Sequence, residues 1–117
     1  QKLILDGSLI VTTPQLLSLK DVIRGINMFI KVGVPILGVV ENMSFLEENN
    51  QKKFIFGESK TKSILLKENI NLIEELPFNL NIPKSCDEGK PYCFDYKDDY
   101  SKQFENIAIS ITNKFKN

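Results

Sequence analysis

The strongest constraint on the fold is an apolar run at residues 35–40, Pro-Ile-Leu-Gly-Val-Val. A strand with one face in water alternates apolar and polar residues, whereas a strand covered on both faces is apolar throughout. Strands covered on both faces are typical of parallel sheets that carry helices on each side. The run therefore predicts a central strand of an α/β sheet.

A strand and a helix are predicted before this run. Residues 8–12 are short, apolar and β-branched, as buried strands are. Thr13 and Pro14 predict a helix start, with Thr13 as the N-cap and Pro14 at the first helical position. One apolar face follows, and the helix is predicted to end at Gly33. The members of that face are Leu16, Leu19, Val22, Ile23, Ile26, Phe29 and Ile30.

Further strands and helices are predicted on both sides of this unit. Residues 71–76 are predicted as a third strand and 54–56 as a short edge strand that ends at Gly57. Residues 3–5 are also strand-like, which suggests that the pattern begins before Gln1. A weak helix is expected over 59–68, and a final amphipathic helix is expected to open at Asp98 and Asp99.

Two segments are predicted without regular structure. Residues 46–53 are polar and are expected to form a surface excursion. Residues 79–95 are expected to be loop, because Pro83, Gly89 and Pro91 break regular structure. The predicted fold class is a three-layer α/β domain with a mainly parallel sheet.

The composition excludes several classes of protein. Fifteen basic and 15 acidic residues give zero net charge, which does not favour nucleic acid or an anionic membrane as a partner. The absence of histidine excludes histidine-based triads and histidine metal ligands. Two cysteines are too few for a secreted disulfide scaffold. An intracellular, cytoplasmic location is expected, with an organelle matrix or stroma as the alternative.

Residues 41–44 lie just beyond the predicted central strand, at the edge where open parallel sheets bind ligands. Gly33 and Gly38 have the spacing of a phosphate-binding loop. That motif needs Lys and then Ser or Thr directly after its second glycine, whereas Val39 and Val40 stand there. The pattern alone therefore predicts part of a parallel α/β domain and no phosphate site.

Two segments resemble a known family most strongly: 34–44, Val-Pro-Ile-Leu-Gly-Val-Val-Glu-Asn-Met-Ser, and 87–91, Asp-Glu-Gly-Lys-Pro. The resemblance is to the Mrp/ApbC-type P-loop ATPases, which belong to the same deviant Walker A superfamily as ParA and MinD. It covers nearly the whole chain in order, since it also includes residues 6–15, 21–29, 55–57 and 76–78.

The resemblance implies that residues 1–117 are the C-terminal portion of a P-loop ATPase domain. The Walker A loop, the switch segments and the Mg²⁺ ligands would precede Gln1. It also implies a homodimer that binds ATP with Mg²⁺ and carries or assembles iron–sulfur clusters for client proteins. The parent protein is expected to be a slow ATPase, and this portion alone is expected to lack catalytic residues.

The resemblance further implies which residues bind the nucleotide. Asn42 is expected to recognise adenine, because a side-chain amide both donates and accepts hydrogen bonds. The adjacent Met43 and the loop residues Pro77, Phe78 and Asn79 are expected to complete the adenine side. Relatives often carry Asp at the last of these positions, so Asn79 lacks the charge expected for a ribose contact. Alternatively, Asn42 shapes a turn, while Pro77 and Phe78 end a strand and pack in the core.

The usual cluster ligands of the family are missing from the chain. Many relatives carry Cys-x-x-Cys just after the position of Ser44, where this chain has no cysteine. This absence resembles the plastid-type, high-chlorophyll-fluorescence branch. Cys86 and Cys93 do not have a standard cluster spacing and are expected to be free structural thiols. The ligands of any cluster are expected to lie outside this portion; the alternative is a cluster that bridges two chains through four thiolates, two from each copy.

The final helix leaves other functions open. MinD-like relatives bind membranes through a C-terminal amphipathic helix, and Lys102, Lys114 and Lys116 flank an apolar face here. Acidic residues interrupt the polar face, so membrane binding is not expected. A MinD/ParA-like positioning ATPase and a non-enzymatic nucleotide-binding adaptor without a cluster are the alternatives to a carrier.

Overall fold

The computed structural model describes residues 4–116. It contains a three-stranded sheet of order β1-β2-β5 and a two-stranded hairpin, β3-β4. In chain order the elements are β1 (Ser8–Thr12), α1 (Leu16–Val32), β2 (Ile36–Glu41), β3 (Leu46–Glu48), β4 (Gln51–Lys53), α2 (Thr61–Lys67), β5 (Leu72–Glu75), α3 (Asn81–Glu88), α4 (Tyr92–Asp95) and α5 (Asp99–Lys114).

The three predicted strands are neighbours in one parallel sheet, as expected. β2 lies in the centre and pairs in parallel with β1, where Val11 is opposite Val40. It also pairs in parallel with β5, where Val39 is opposite Leu72. The strand-like pattern at 3–5 does not correspond to a strand at Ile4 and Leu5, and Leu3 lies outside the described residues.

Two apolar clusters cover the two faces of the sheet. On one face, Val39 of β2 packs with Val22 and Ile26 of α1 and with Leu65 of α2. On the other face, the adjacent Val40 packs with Leu76 and with Ile107 of α5. Successive strand residues point to opposite faces, so β2 has to be apolar at nearly every position. The predicted three-layer α/β architecture is confirmed.

Helix α1 begins later than predicted and buries only part of the predicted apolar face. Leu19, Val22 and Ile26 are buried, whereas Leu16, Ile23 and Ile30 are exposed. The N-cap is Gln15, so the predicted start at Thr13 and Pro14 is wrong. The Thr13 hydroxyl lies 2.6 Å from the Ser18 hydroxyl and donates to Gln15 Oε1 at 3.2 Å, so it is engaged with side chains. The helix ends as predicted, with Gly33 at a left-handed φ of 75°.

Helix α5 begins where the sequence predicted it. The Asp98 side chain accepts a hydrogen bond from the Ser101 backbone N–H, and the Ser101 side chain accepts one from the Asp98 backbone N–H, which is a capping box. Ile107 of α5 is buried against the sheet, and Tyr100 and Ile111 pack beside it. Much of its apolar face is therefore used within the protein.

The predicted unstructured segment 46–53 is in fact the β3-β4 hairpin. Asn49 and Asn50 form its turn, with φ of 52° and 60°. Two successive left-handed residues match the right-handed twist of a hairpin, and asparagine tolerates that conformation. A salt bridge of 2.9 Å joins Lys53 to Glu48 across the strands.

Two other local predictions are wrong. Residues 79–95 contain helices α3 and α4, because Pro83 lies in the first turn of α3, where proline does not remove an internal hydrogen bond. Residues 54–56 form no strand. The Phe54 ring instead lies 6.1 Å from that of Phe45.

Among residues 4–116, no helix combines the length and the apolar character needed to cross a bilayer.

Gly38 is a sheet position where a larger residue would crowd its neighbours. A Cβ atom there would lie 2.5 Å from Ile73 Cδ1 and 3.1 Å from the Asn71 carbonyl oxygen, and φ is 157°. Gly38→Ala should therefore lower the free energy of unfolding by about 1–3 kcal/mol through overpacking and backbone strain. Urea unfolding measures this change.

Gly25→Ala is the matched control, since a Cβ at Gly25 in α1 would meet no atom of residues 4–116 within 4 Å. This substitution should be neutral or should stabilise the helix by about 0.5–1 kcal/mol. Equal effects of the two substitutions would contradict the assignment of Gly38 as a close-packed strand position.

Candidate functional site

Backbone hydrogen bonds join the loops that follow β2 and β5. The Leu76 N–H donates to the Glu41 carbonyl at 2.7 Å, and the Ser44 N–H donates back to the Leu76 carbonyl at 2.9 Å. Beyond them, the Phe78 N–H donates to the Phe45 carbonyl at 2.9 Å. The two loops therefore run side by side at the carboxyl edge of the sheet, where ligands bind in open parallel sheets.

A buried carboxyl group at the end of β2 holds these loops in place. Glu41 is the last residue of β2 and is only 1% exposed. Its Oε1 accepts a hydrogen bond of 2.7 Å from the Ser44 hydroxyl, and its Oε2 accepts one of 2.6 Å from the Ser59 hydroxyl. Both acceptor oxygens are thus satisfied, as a buried polar group requires.

The loops after β2 and β5, with α3 and α5, enclose a cleft of about 260 Å³, here called the β2–β5 cleft. It contains all five residues that the sequence analysis assigned to the nucleotide. Its walls are largely apolar, with a few amide and hydroxyl groups. The lining residues are Asn42, Met43, Pro77, Phe78, Asn79, Leu80, Ile82, Pro83 and Tyr100.

Asn42 lines this cleft and lies in a tight turn. Its Oδ1 accepts a hydrogen bond of 2.9 Å from the Met43 N–H, and its own N–H donates to the Thr12 carbonyl at 2.6 Å. Met43 has a left-handed φ of 53°, which is uncommon for a residue other than glycine. Asn42 therefore shapes a turn. Among residues 4–116, the second lone pair of Oδ1 and the Nδ2 group have no hydrogen-bond partner, so they can bind a ligand.

Pro77 and Phe78 form part of the apolar wall. Both side chains are half-buried. The Phe78 ring lies 6.0 Å from the Phe56 ring and is tilted against it by 40°. Such a ring offers a flat apolar surface beside Asn42, which suits a planar heterocycle.

Asn79 is held by other side chains of the protein. Its Oδ1 accepts a hydrogen bond of 2.9 Å from the Asn81 N–H, and its Nδ2 donates to the Tyr92 hydroxyl at 3.1 Å. The Tyr92 hydroxyl in turn donates to Asp98 Oδ2. That hydrogen bond, followed by one from the Ser101 backbone, holds the pKa of Asp98 below its usual value. Burial and then the Asp98 contact raise the pKa of Tyr92.

Asn42 also lines a second cleft, of about 250 Å³, at the carboxyl end of β1. Thr12, Thr13 and Ser18 contribute hydroxyl groups to this second cleft, and Asp21 contributes a carboxyl group. The Asn42 turn therefore separates an apolar cleft from a more polar one.

The two cysteines lie on different helices. Cys86 is exposed on α3, and Cys93 is half-buried on α4, and both are free thiols. Within residues 4–116 there is no group of three or more Cys, Asp or Glu side chains arranged to hold a metal ion.

The sequence predicted no role in the site for three polar residues that organise it, namely Ser59, Tyr92 and Asp98 as a hydrogen-bond acceptor. Ser59 is 18 positions from Glu41 in the chain, and sequence spacing does not indicate that contact. A signal did exist for Tyr92, because it directly follows the Asp-Glu-Gly-Lys-Pro segment.

Comparison with known proteins agrees with this geometry. The model of the family described as "ParA: NUBPL iron-transfer P-loop NTPase" matches residues 1–112. The chain belongs to this family. The predicted resemblance to the Mrp/ApbC-type ATPases is thereby confirmed.

The similar curated proteins have consistent names. The "Iron-sulfur cluster transfer protein NUBPL" of Dictyostelium discoideum is 41% identical over 95% of this chain, which corresponds to 35% of that protein. The "Iron-sulfur protein required for NADH dehydrogenase, mitochondrial" of Arabidopsis thaliana is 40% identical over 99% of this chain and 38% of its own length. The chain thus spans little more than a third of either relative.

A solved structure is also similar. It is a nucleotide-binding protein from Archaeoglobus fulgidus in complex with ADP, with a TM-score of 0.62 and 34% identity. The match covers 73% of this chain and 36% of that protein. The P-loop NTPase-like α/β fold class is therefore confirmed.

Glu41→Ala should destabilise the protein strongly. The substitution removes two hydrogen bonds and leaves the buried Ser44 hydroxyl without its Oε1 partner. A loss of about 2–4 kcal/mol in the free energy of unfolding is expected from the cavity and the two lost hydrogen bonds. Chemical denaturation measures it.

Glu41→Gln is the matched control for this prediction. Glutamine keeps the volume, and the serine hydroxyls can accept as well as donate, so the cost should be clearly smaller than for alanine. An alanine variant as stable as the wild type would show that this cluster does not anchor the loops.

Proposed function

We propose that this chain forms the adenine-side wall of the ATP site in an iron–sulfur cluster carrier of the Mrp type. One observation carries the proposal: Asn42, Met43, Pro77, Phe78 and Asn79 line a single cleft at the carboxyl edge of the parallel sheet. Family membership supports the same assignment.

The size and chemistry of the β2–β5 cleft suit the base of a nucleotide. Its volume of about 260 Å³ is slightly below the roughly 300–1,000 Å³ of pockets that enclose a whole small molecule. The apolar wall of Pro77 and Phe78 would pack against the base. The Asn42 Nδ2 group would donate a hydrogen bond to a ring nitrogen of adenine, and Oδ1 would accept one from the exocyclic amine.

The phosphates would be bound by other parts of the protein. The sequence contains no G-x-x-x-x-G-K-[ST] segment, and NTP phosphates are normally held by that loop and its lysine. We therefore propose that residues 1–117 are the C-terminal portion of a P-loop ATPase domain. ATP with Mg²⁺ would be the cofactor of the whole protein, which would act as a slow ATPase and a homodimer.

The proposed cargo is an iron–sulfur cluster, delivered to client proteins. The names of the Dictyostelium and Arabidopsis relatives support this class of cargo. The Arabidopsis name also places that protein in mitochondria, so we propose an intracellular location that includes an organelle matrix. Thiolates are the common cluster ligands, and we propose that the ligands lie outside the residues described.

The role of α5 favours a carrier over a membrane-positioning ATPase. Ile107 is buried against Val40 and Leu76, and Ile111 packs beside them. A helix that covers the sheet in this way cannot also insert the same face into a bilayer without exposing the core. Anaerobic cluster reconstitution followed by an absorption spectrum would distinguish a carrier from a cluster-free adaptor.

Substitution of Asn42 tests the nucleotide assignment. In the full-length protein, Asn42→Ala should weaken ATP binding by about 1–3 kcal/mol, since it leaves polar atoms of the base unpaired. The preference for ATP over GTP should also decrease, because guanine presents an acceptor where adenine presents an amine donor. Calorimetric titration of both nucleotides measures the two effects.

Asn42→Asp separates recognition from turn formation. Aspartate keeps the oxygen that accepts from the Met43 N–H but lacks the Nδ2 donor. It should therefore weaken ATP binding as alanine does, while the melting temperature stays near that of the wild type. An aspartate variant with unchanged ATP affinity and selectivity would remove Asn42 from the base-recognition site.

Replacement of both cysteines tests the location of the cluster ligands. Cys86→Ser with Cys93→Ser should leave the absorption spectrum of the reconstituted full-length protein unchanged, because we expect free structural thiols. Iron and sulfide content measured on the same samples provides the control for loading. Loss of the cluster in the double variant would instead assign these thiols as ligands.

A further inference from the structure

We propose that Tyr92 positions the loop that forms the β2–β5 cleft, by fixing Asn79 through a directional chain of hydrogen bonds that ends at Asp98. This inference rests on the proposed function of the cleft. It adds Tyr92 as a positioning residue and gives Asn79 a role within the protein.

The hydrogen-bond chain ends at Asp98, which is fixed at the start of α5. Asp98 Oδ1 accepts a hydrogen bond of 3.0 Å from the Ser101 N–H at the start of the helix. The Asp98 backbone N–H donates to the Ser101 hydroxyl, also at 3.0 Å. The second carboxylate oxygen, Oδ2, faces Tyr92 and accepts a hydrogen bond from its hydroxyl group, with 2.5 Å between the two oxygens. The capping box therefore fixes the oxygen that Tyr92 has to reach.

The chain has a defined direction. A phenol has a single proton, which Tyr92 donates to Asp98, so the Tyr92 oxygen can only accept from its other neighbour. Asn79 supplies that donor through Nδ2 at 3.1 Å. An aspartate at this position would present a carboxylate to an oxygen whose proton is already donated. The Tyr92 oxygen therefore requires a hydrogen-bond donor at residue 79, and the Asn79 amide provides it.

The other end of Asn79 is engaged as well. Its Oδ1 accepts from the Asn81 N–H at 2.9 Å, which fixes the start of α3 and the orientation of the amide. Since Oδ1 binds the backbone and Nδ2 binds Tyr92, Asn79 acts on the cleft by holding residues 77–79 in place. This arrangement accounts for an uncharged residue where a direct ribose contact would favour a carboxylate.

Tyr92 also reaches the cleft through a second side chain. Its ring packs edge-on against the ring of Tyr100 at 5.2 Å and stacks on Tyr96 at 4.3 Å. Tyr100 lines the cleft directly. Tyr92 itself is only 7% exposed, so it influences a bound nucleotide through Asn79 and Tyr100 and not by contact.

The first test removes the hydroxyl and keeps the ring. In the full-length protein, Tyr92→Phe should raise the ATP dissociation constant about 3- to 10-fold, as expected for the loss of a hydrogen bond that orders a binding loop. Tyr96→Phe is the matched control, because it removes a hydroxyl from the adjacent stacked ring, for which no hydrogen bond is found within residues 4–116. The control should bind ATP like the wild type.

The second test reverses the hydrogen-bonding polarity at residue 79. Asn79→Asp should weaken ATP binding by a similar factor in the wild-type background. In the Tyr92→Phe background the same substitution should have little further effect, since the hydroxyl that the carboxylate opposes is gone. If the two residues acted independently, the fold-changes in the ATP dissociation constant caused by the two substitutions would instead multiply in the double variant. Melting temperatures recorded on all variants separate a loss of affinity from a loss of folding.

The outcomes separate this inference from the proposed function. If the wild type fails to bind ATP, the proposed function is wrong and this inference falls with it. If the wild type binds ATP and both Tyr92→Phe and Asn79→Asp bind like the Tyr96→Phe control, the proposed function stands and the role of Tyr92 is refuted. If both substitutions weaken ATP binding and their fold-changes do not multiply in the double variant, the hydrogen-bond chain from Asn79 through Tyr92 to Asp98 is supported.

Discussion

The buried carboxyl group of Glu41 is the interaction on which the site depends. It lies at the end of the central strand and accepts hydrogen bonds from Ser44 and Ser59. Burying a polar group is costly unless its hydrogen bonds are made, so the sheet edge, the turn at Asn42 and the approach to α2 have to come together as one arrangement. The segment between the two serines, which contains the hairpin, begins and ends at the same carboxyl group.

The double coverage of β2 explains why the cleft lies where it does. Val39 and Val40 bury opposite faces, one under α1 and α2 and the other under α5. Helices on both faces leave only the strand ends open to a ligand. At that open edge the backbone hydrogen bonds between the β2 and β5 loops bring Asn42 beside Phe78, although they are far apart in the sequence.

The sequence predicted the features that periodicity controls. The apolar run 35–40 and the amphipathic faces of α1 and α5 locate the sheet and its helices. It did not predict the hairpin turn at Asn49 and Asn50, because polar residues with left-handed backbone carry no apolar pattern. The family resemblance predicted five of the residues that line the cleft. Ser59 and Tyr92 act through contacts with residues 18 and 13 positions away in the sequence, Glu41 and Asn79, and the apolar pattern does not indicate such contacts.

The polarity of the Asn79–Tyr92–Asp98 chain has an evolutionary consequence. A carboxylate at position 79 and a tyrosine hydroxyl at position 92 that donates to Asp98 exclude each other, because no proton is left to join them. Relatives with aspartate at position 79 should therefore lack either the tyrosine at position 92 or the aspartate at position 98 that accepts from it. A carboxylate introduced at position 79 alone faces an oxygen that cannot donate to it, and the loop loses one of its hydrogen bonds.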